Sequence, residues 1–169
     1  MNTSNSLSDN YKEDQVWKIL ETIPDPEIPV LTVLDLGIVR KVIIEGKNVE
    51  VYITPTYSAC PAMTMIAMQI KVALLSNNFK NVLVTHVLQP AWTTDWISEA
   101  AKQKLKDYGI TPPQNKARLD RMLFETEVVP CPRCESSDTS VISEFGSTAC
   151  KSLHKCNDCL EAFDYFKCH

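Results

Sequence analysis

The chain has 169 residues, 44% of them hydrophobic, and a formal net charge of −4, which gives room for one ordinary domain and a small second one. The negative balance argues against a nucleic-acid partner, because phosphate backbones select positive surfaces. No run of about eighteen apolar residues exists, so no membrane span is expected. The polar start MNTSNSLSDNYKEDQ lacks the apolar stretch of a secretory signal, and the chain is expected in the cytoplasm, where thiols stay reduced.

Residues 1–10 read as a flexible leader. A first helix is predicted from Asn10, which with Glu13 resembles a capping box. Val16, Ile19, Leu20 and Ile23 then share one helical face, and Pro24 and Pro26 end it. DPEIPV (Asp25–Val30) reads as an extended turn. GIVRKVII and VEVYIT flank a turn holding Gly46, a hairpin in which Val49, Val51 and Ile53 line one face. The segment PTYSACPAMTMIAMQIKVALLS passes from loop to helix at Pro61, with Met63, Ile66, Ile70 and Leu74 as its apolar stripe. NVLVTHVLQ is a third strand. Thr94 is expected to cap a third helix carrying Trp96, Ile97, Ala101 and Leu105, closed by Gly109.

The order α-β-β-α-β-α predicts a compact α+β domain over 11–110, with helices on one face of a small sheet. TPPQNK begins a linker or arm over 111–129, and 130–169 is a separate module.

Six of the seven cysteines lie in that last part. Cys131-x2-Cys134 and Cys156-x2-Cys159 are two knuckles separated by twenty-one residues. Two such turns bring four thiolates around one ion, and a closed tetrahedron of sulfur suits a structural zinc. An iron–sulfur cluster on the same four ligands is the alternative. The module is too short to bury a sufficient core, so a metal supplies folding energy. Cys150, Cys168 and His169 are further candidate ligands, set against a plainer reading as packed or free side chains. Phe163, Tyr165 and Phe166 are the expected apolar core of this module. Its four basic residues face six acidic ones, which also disfavours a nucleic-acid-binding ribbon.

Cys60 stands alone in the first domain. Backbone N–H groups at a helix start favour a thiolate, so Cys60 is a candidate nucleophile or soft ligand; the alternative is an ordinary buried cysteine. Asp25 and Glu27 could form a paired-carboxylate site, or a turn with a helix cap. His86, mid-strand, reads as a core histidine, and Trp92 and Trp96 as packing residues. No general base, phosphate-cradling loop or open metal site is legible, so a stand-alone enzyme is not expected.

DPEIPVLTVLDLGIVRKV, TPTYSACPA and PAWTTDW resemble the domain of SufT-type iron–sulfur assembly proteins. CPRC, EFGSTACK, CNDC and FDYFKCH resemble the C-terminal part of the PaaD family of aerobic phenylacetate degradation. The combination implies an accessory, non-catalytic component of the multicomponent phenylacetyl-CoA epoxidase. It implies the other epoxidase subunits as partners, including an iron–sulfur flavoprotein reductase. It also implies iron or cluster maturation, with Cys60, Asp25 and Glu27 as the handling residues. The alternative is a purely structural interaction subunit.

Overall fold

The computed structural model describes residues 5–57, 60–114 and 128–167, with the backbone alone for 5–12. The chain divides into two compact units, Met1–Trp92 and Thr93–His169.

In the first unit, α1 (Asn5–Leu20) begins five residues ahead of the predicted Asn10. Its face delivers Val16 and Leu20, followed by Ile23, all buried. The Asp25 region is a hydrogen-bonded loop. The Asp25 carboxylate accepts the N–H groups of Glu27 and Ile28, each at 2.8 Å, and the Asp25 N–H donates to the carbonyl of Leu31 at 2.8 Å. A second turn is held by Thr32 and Asp35, each of whose side chains accepts the other's backbone N–H. These polar closures let Ile28, Leu31, Val33 and Leu36 turn inward; full burial of such a side chain contributes about 1.5–3 kcal/mol.

β1 (Val39–Glu45) and β2 (Asn48–Ile53) form an antiparallel hairpin, with Gly46 at φ +64° in its turn. That positive φ suits a residue without Cβ. β3 (Asn81–His86) pairs parallel with β2, Val49 opposite Val82 and Val51 opposite Val84. A parallel pair needs a crossover, which α2 (Ala62–Ser76) supplies. Val49, Val51 and Ile53 are buried on one face, and Met63, Ile66, Ile70 and Leu74 are buried along α2. Trp92 is buried, and its indole Nε1 donates to the carbonyl of Leu36 at 2.8 Å. His86 ends β3 and is exposed, contrary to its reading as a core histidine, because the strand stops there rather than running on to Gln89.

In the second unit, Thr94 opens a short 3-10 turn (Thr94–Trp96), and the cap of α3 (Glu99–Asp107) is Ser98. The Ser98 hydroxyl accepts the N–H of Ala101 at 3.1 Å. Trp96 and Ile97 therefore precede the helix instead of belonging to it.

β4 (Ile110–Thr111), β5 (Thr139–Ser143), β6 (Lys151–Cys156) and β7 (Ala162–Phe166) form a four-stranded sheet in the order β4-β7-β6-β5. β5–β6 and β6–β7 are antiparallel, and β4 runs parallel to β7, Thr111 opposite Tyr165. This pairing is why residues 93–111 fall with the C-terminal unit, whereas the sequence placed the boundary at 110. Val129, Cys131, Cys156, Phe163 and Tyr165 make the core of the ribbon, beside a fully buried Phe166. Residues 115–127 of the predicted linker or arm 111–129 lie outside the described residues.

Candidate metal centre

The knuckle Cys131–Cys134 precedes β5, and the knuckle Cys156–Cys159 sits between β6 and β7. Each closes on itself. The N–H of Glu135 donates to the carbonyl of Cys131 at 2.9 Å, that of Cys131 to Ser136 at 2.9 Å, and that of Cys156 to Glu161 at 2.8 Å. The residue after each second cysteine, Glu135 or Leu160, takes a left-handed φ of 61° or 63°. The two turns thus repeat one design, in which chain reversal points sulfur and backbone N–H groups at a common centre.

The sulfurs of Cys131 and Cys159 lie 3.6 Å apart, those of Cys134 and Cys156 3.5 Å apart, and all four within 4.8 Å of one another. A disulfide would need about 2.05 Å. A tetrahedron with metal–sulfur bonds of about 2.3 Å has sulfur–sulfur edges of about 3.8 Å. The spacing therefore fits one four-coordinate ion with no open position. Cys131 and Cys156 are buried, Cys159 is half-buried and Cys134 is exposed. Among the described residues, this is the one group of three or more His, Cys, Asp or Glu that converges on such a position.

The electrostatics match. The N–H of Cys159, aided by that of Asp158, holds the Cys156 thiol down at about 7 against its burial. Cys134 receives the N–H of Ser136, yet the crowd of Cys159, Cys156 and Cys131 sulfurs, with desolvation, pushes it up to about 12. Cys159 is also raised: the N–H of Glu161 opposes the rise, and burial and neighbouring thiols drive it. Cys156 thus takes the negative charge while Cys134 keeps a proton, an arrangement that a dication would resolve by stabilising all four thiolates.

Polar links join the knuckles. Arg133 Nη1 donates to Glu161 Oε2 at 2.5 Å, the Ser136 hydroxyl bonds the Asp158 carboxylate, and Asn157 Nδ2 donates to Asp138 Oδ1 at 2.7 Å. The sequence reading did not single out these residues; the one hint was Arg133, the only cation inside either knuckle.

Cys150 is buried with its sulfur 3.1 Å from the Thr148 hydroxyl, outside the four-sulfur group. Cys168 and His169 lie outside the described residues. His154 is buried between Phe163 and Tyr165, ring centroids 5.7 and 5.6 Å away, and its Nε2 shares a 2.9 Å hydrogen bond with Ser152. It is a packed core residue.

Cys60 is half-buried just ahead of Pro61, the N-terminal flank of α2, and its N–H donates to the carbonyl of Tyr57 at 3.0 Å. Asp25 is 8% exposed, with Oδ1 engaged in capping its own turn, and Glu27 is half-buried in that turn. Cys60, Asp25 and Glu27 do not form a three-ligand group. Among the described residues no helix is long and apolar enough to cross a membrane.

Residues 13–83 match the family model of iron–sulfur cluster assembly proteins, and residues 115–167 that of the PaaD zinc β-ribbon domain. A protein of Escherichia coli described as the D component of a "Putative 1,2-phenylacetyl-CoA epoxidase" is 49% identical over 91% of this chain and 92% of its own. An "Fe-S protein maturation auxiliary factor" of Porphyromonas gingivalis is 34% identical over 55% of this chain and 90% of its own. The crystal structure of a DUF59 domain of unknown function from Bacillus anthracis superposes with a TM-score of 0.56 at 28% identity, over 60% of this chain and 97% of that one. An assembly-type domain joined to a four-cysteine ribbon, matched along nearly the whole of a relative, places this chain in the PaaD family of phenylacetyl-CoA epoxidase components.

Proposed function

We propose that this chain is an accessory subunit of a phenylacetyl-CoA epoxidase, without catalytic activity of its own, which helps deliver iron or an iron–sulfur cluster to the oxygenase or its iron–sulfur flavoprotein reductase. The observation that carries this reading is Cys60: a half-buried thiol at the start of α2, inside the segment that matches assembly proteins. Its position at a helix start favours the thiolate, a soft ligand for transient metal or cluster handling. Asp25 and Glu27 take part through the shape of their own loop, or as oxygen ligands when cargo is present.

The ribbon holds a resident zinc on Cys131, Cys134, Cys156 and Cys159, because four thiolates with no open position suit a structural site. Other epoxidase subunits are its partners. Nucleic acid and membranes are not, in keeping with the net charge of −4. Reduced, metal-bound thiols suit a cytoplasmic location.

A second reading, in which the chain is purely structural, draws on one observation. Val141, Ile142 and Phe145 are exposed on and beside β5, the edge strand of the ribbon, a surface on which another protein could add contacts.

The substitution Cys60→Ala separates the two. Under the maturation reading the variant folds, co-purifies with the epoxidase components and fails to support growth on phenylacetate, and those components carry less iron than in the parent strain. Full iron occupancy with normal activity would remove maturation from Cys60 and leave the structural reading.

A further inference from the structure

The two knuckles are alike in backbone and unlike in charge. The first reads Cys131-Pro132-Arg133-Cys134, the second Cys156-Asn157-Asp158-Cys159. Four thiolates around a dication leave two negative charges in excess, and a metal site is commonly tuned by what surrounds its ligands. Backbone N–H groups serve Cys156, Cys134 and Cys159, with the N–H of Cys159 3.4 Å from the sulfur of Cys156.

Arg133 supplies the one formal positive charge within the knuckles. It stands inside the first knuckle, next to Cys134, and its guanidinium reaches Glu161 Oε2 at 2.5 Å, beside the second knuckle. That span keeps it within about a Debye length of the Cys131 and Cys159 sulfurs, which are 3.6 Å apart. Glu161 is two residues beyond Cys159, so the ion pair joins one knuckle to the other. As a mechanical strap such a pair adds little, since its side chains are 68% and 43% exposed. As a counter-charge, the guanidinium acts on the metal-bound thiolates whether or not the strap holds.

We propose that Arg133 is a positioning residue of the metal site: its guanidinium offsets the excess negative charge on the Cys131–Cys159 edge and tightens the hold on a divalent ion, while Glu161 competes with the thiolates for that charge. The inference rests on the four-thiol site and is independent of any role for Cys60.

The two possible roles of the pair predict opposite behaviour of Glu161. A strap fails when either partner is removed. A counter-charge fails only when Arg133 is removed, because Glu161→Gln deletes a nearby negative charge and still offers an oxygen to the guanidinium.

The test is competition between the full-length protein and a chromophoric chelator for zinc. Cobalt(II) absorption serves as a check that each variant forms a tetrahedral thiolate site. Arg133→Gln should bind zinc about tenfold more weakly, in the range found for residues that surround metal ligands. Arg133→Lys should recover to within about threefold of the parent, and Glu161→Gln should bind at least as tightly as the parent. The gap between parent and Arg133→Gln should narrow as salt is added, a response that lost packing would not give. Should Arg133→Gln fail to load metal, the Lys and Glu161 variants decide alone. Parent affinity in Arg133→Gln overturns the proposal, as does Arg133→Lys about tenfold or more weaker than the parent, or a loss of about threefold or more in Glu161→Gln.

Discussion

Gly146 shows how one side chain's absence supports the ribbon. A Cβ there would lie 2.6 Å from Asp164 Oδ1 and 3.3 Å from the Lys151 Cβ. Asp164 is not free to yield: its Oδ2 accepts the Ser147 hydroxyl at 3.1 Å and stands 3.4 Å from Nζ of Lys151, whose side chain is 5% exposed. We expect Gly146→Ala to destabilise the metal-loaded ribbon by about 1–3 kcal/mol, the range for an overpacked site, and to leave the first unit untouched. Denaturant unfolding followed by ribbon tyrosine and phenylalanine signals checks this; parental stability would mean that Asp164 rotates away at no cost. Residues of this kind were not legible in the sequence. The four metal-site cysteines were, because their chemistry and their spacing of three are local. The roles of Gly146 and Arg133 depend on partners eighteen and twenty-eight residues away, which only the fold brings close. For Asp25 the plainer reading, a turn with a cap, describes what its Oδ1 does.

Among the elements, those with a period were readable. Val49, Val51 and Ile53 alternate because β2 has one buried face, and the 3–4 spacing of Met63, Ile66, Ile70 and Leu74 follows from α2 packing along one stripe. The third helix was placed too early because Thr94 and Ser98 are both good caps; the chain uses Ser98, after a 3-10 turn has taken Thr94. β4 has two residues, too few for any alternation to show. Yet it is well anchored. Thr111 is 1% exposed, and its hydroxyl donates to the carbonyl of Pro130 at 2.9 Å. Thr111→Val keeps the shape and deletes that bond, so the ribbon should lose about 1 kcal/mol, with the Pro130 carbonyl left wanting a donor. A lowered thermal midpoint of the ribbon transition would show it; an unchanged one would mean that β4 closes the sheet through its backbone alone.

For the whole molecule, the ribbon's stability is tied to the solution through its metal. In the metal-free state Cys134 lies at about 12 and Cys159 is raised as well, so both carry protons at neutral pH. Both must release them to become ligands. Protons and metal therefore compete, and apparent affinity should climb at least about a hundredfold per pH unit between about pH 7 and 8 and fall away in acid, unfolding the ribbon as metal leaves. Chelator competition across that range measures the slope; a flat profile would mean that thiols other than these hold the ion. A different consequence follows from the parallel pairing of β4 with β7. The first unit can complete its sheet once His86 has been made. The strand at Ile110–Thr111 meets its neighbour only after the chain has grown by about fifty residues more, to Ala162–Phe166. During synthesis the two units thus mature in strict order. The first has every strand of its sheet available while the second still lacks its last strand.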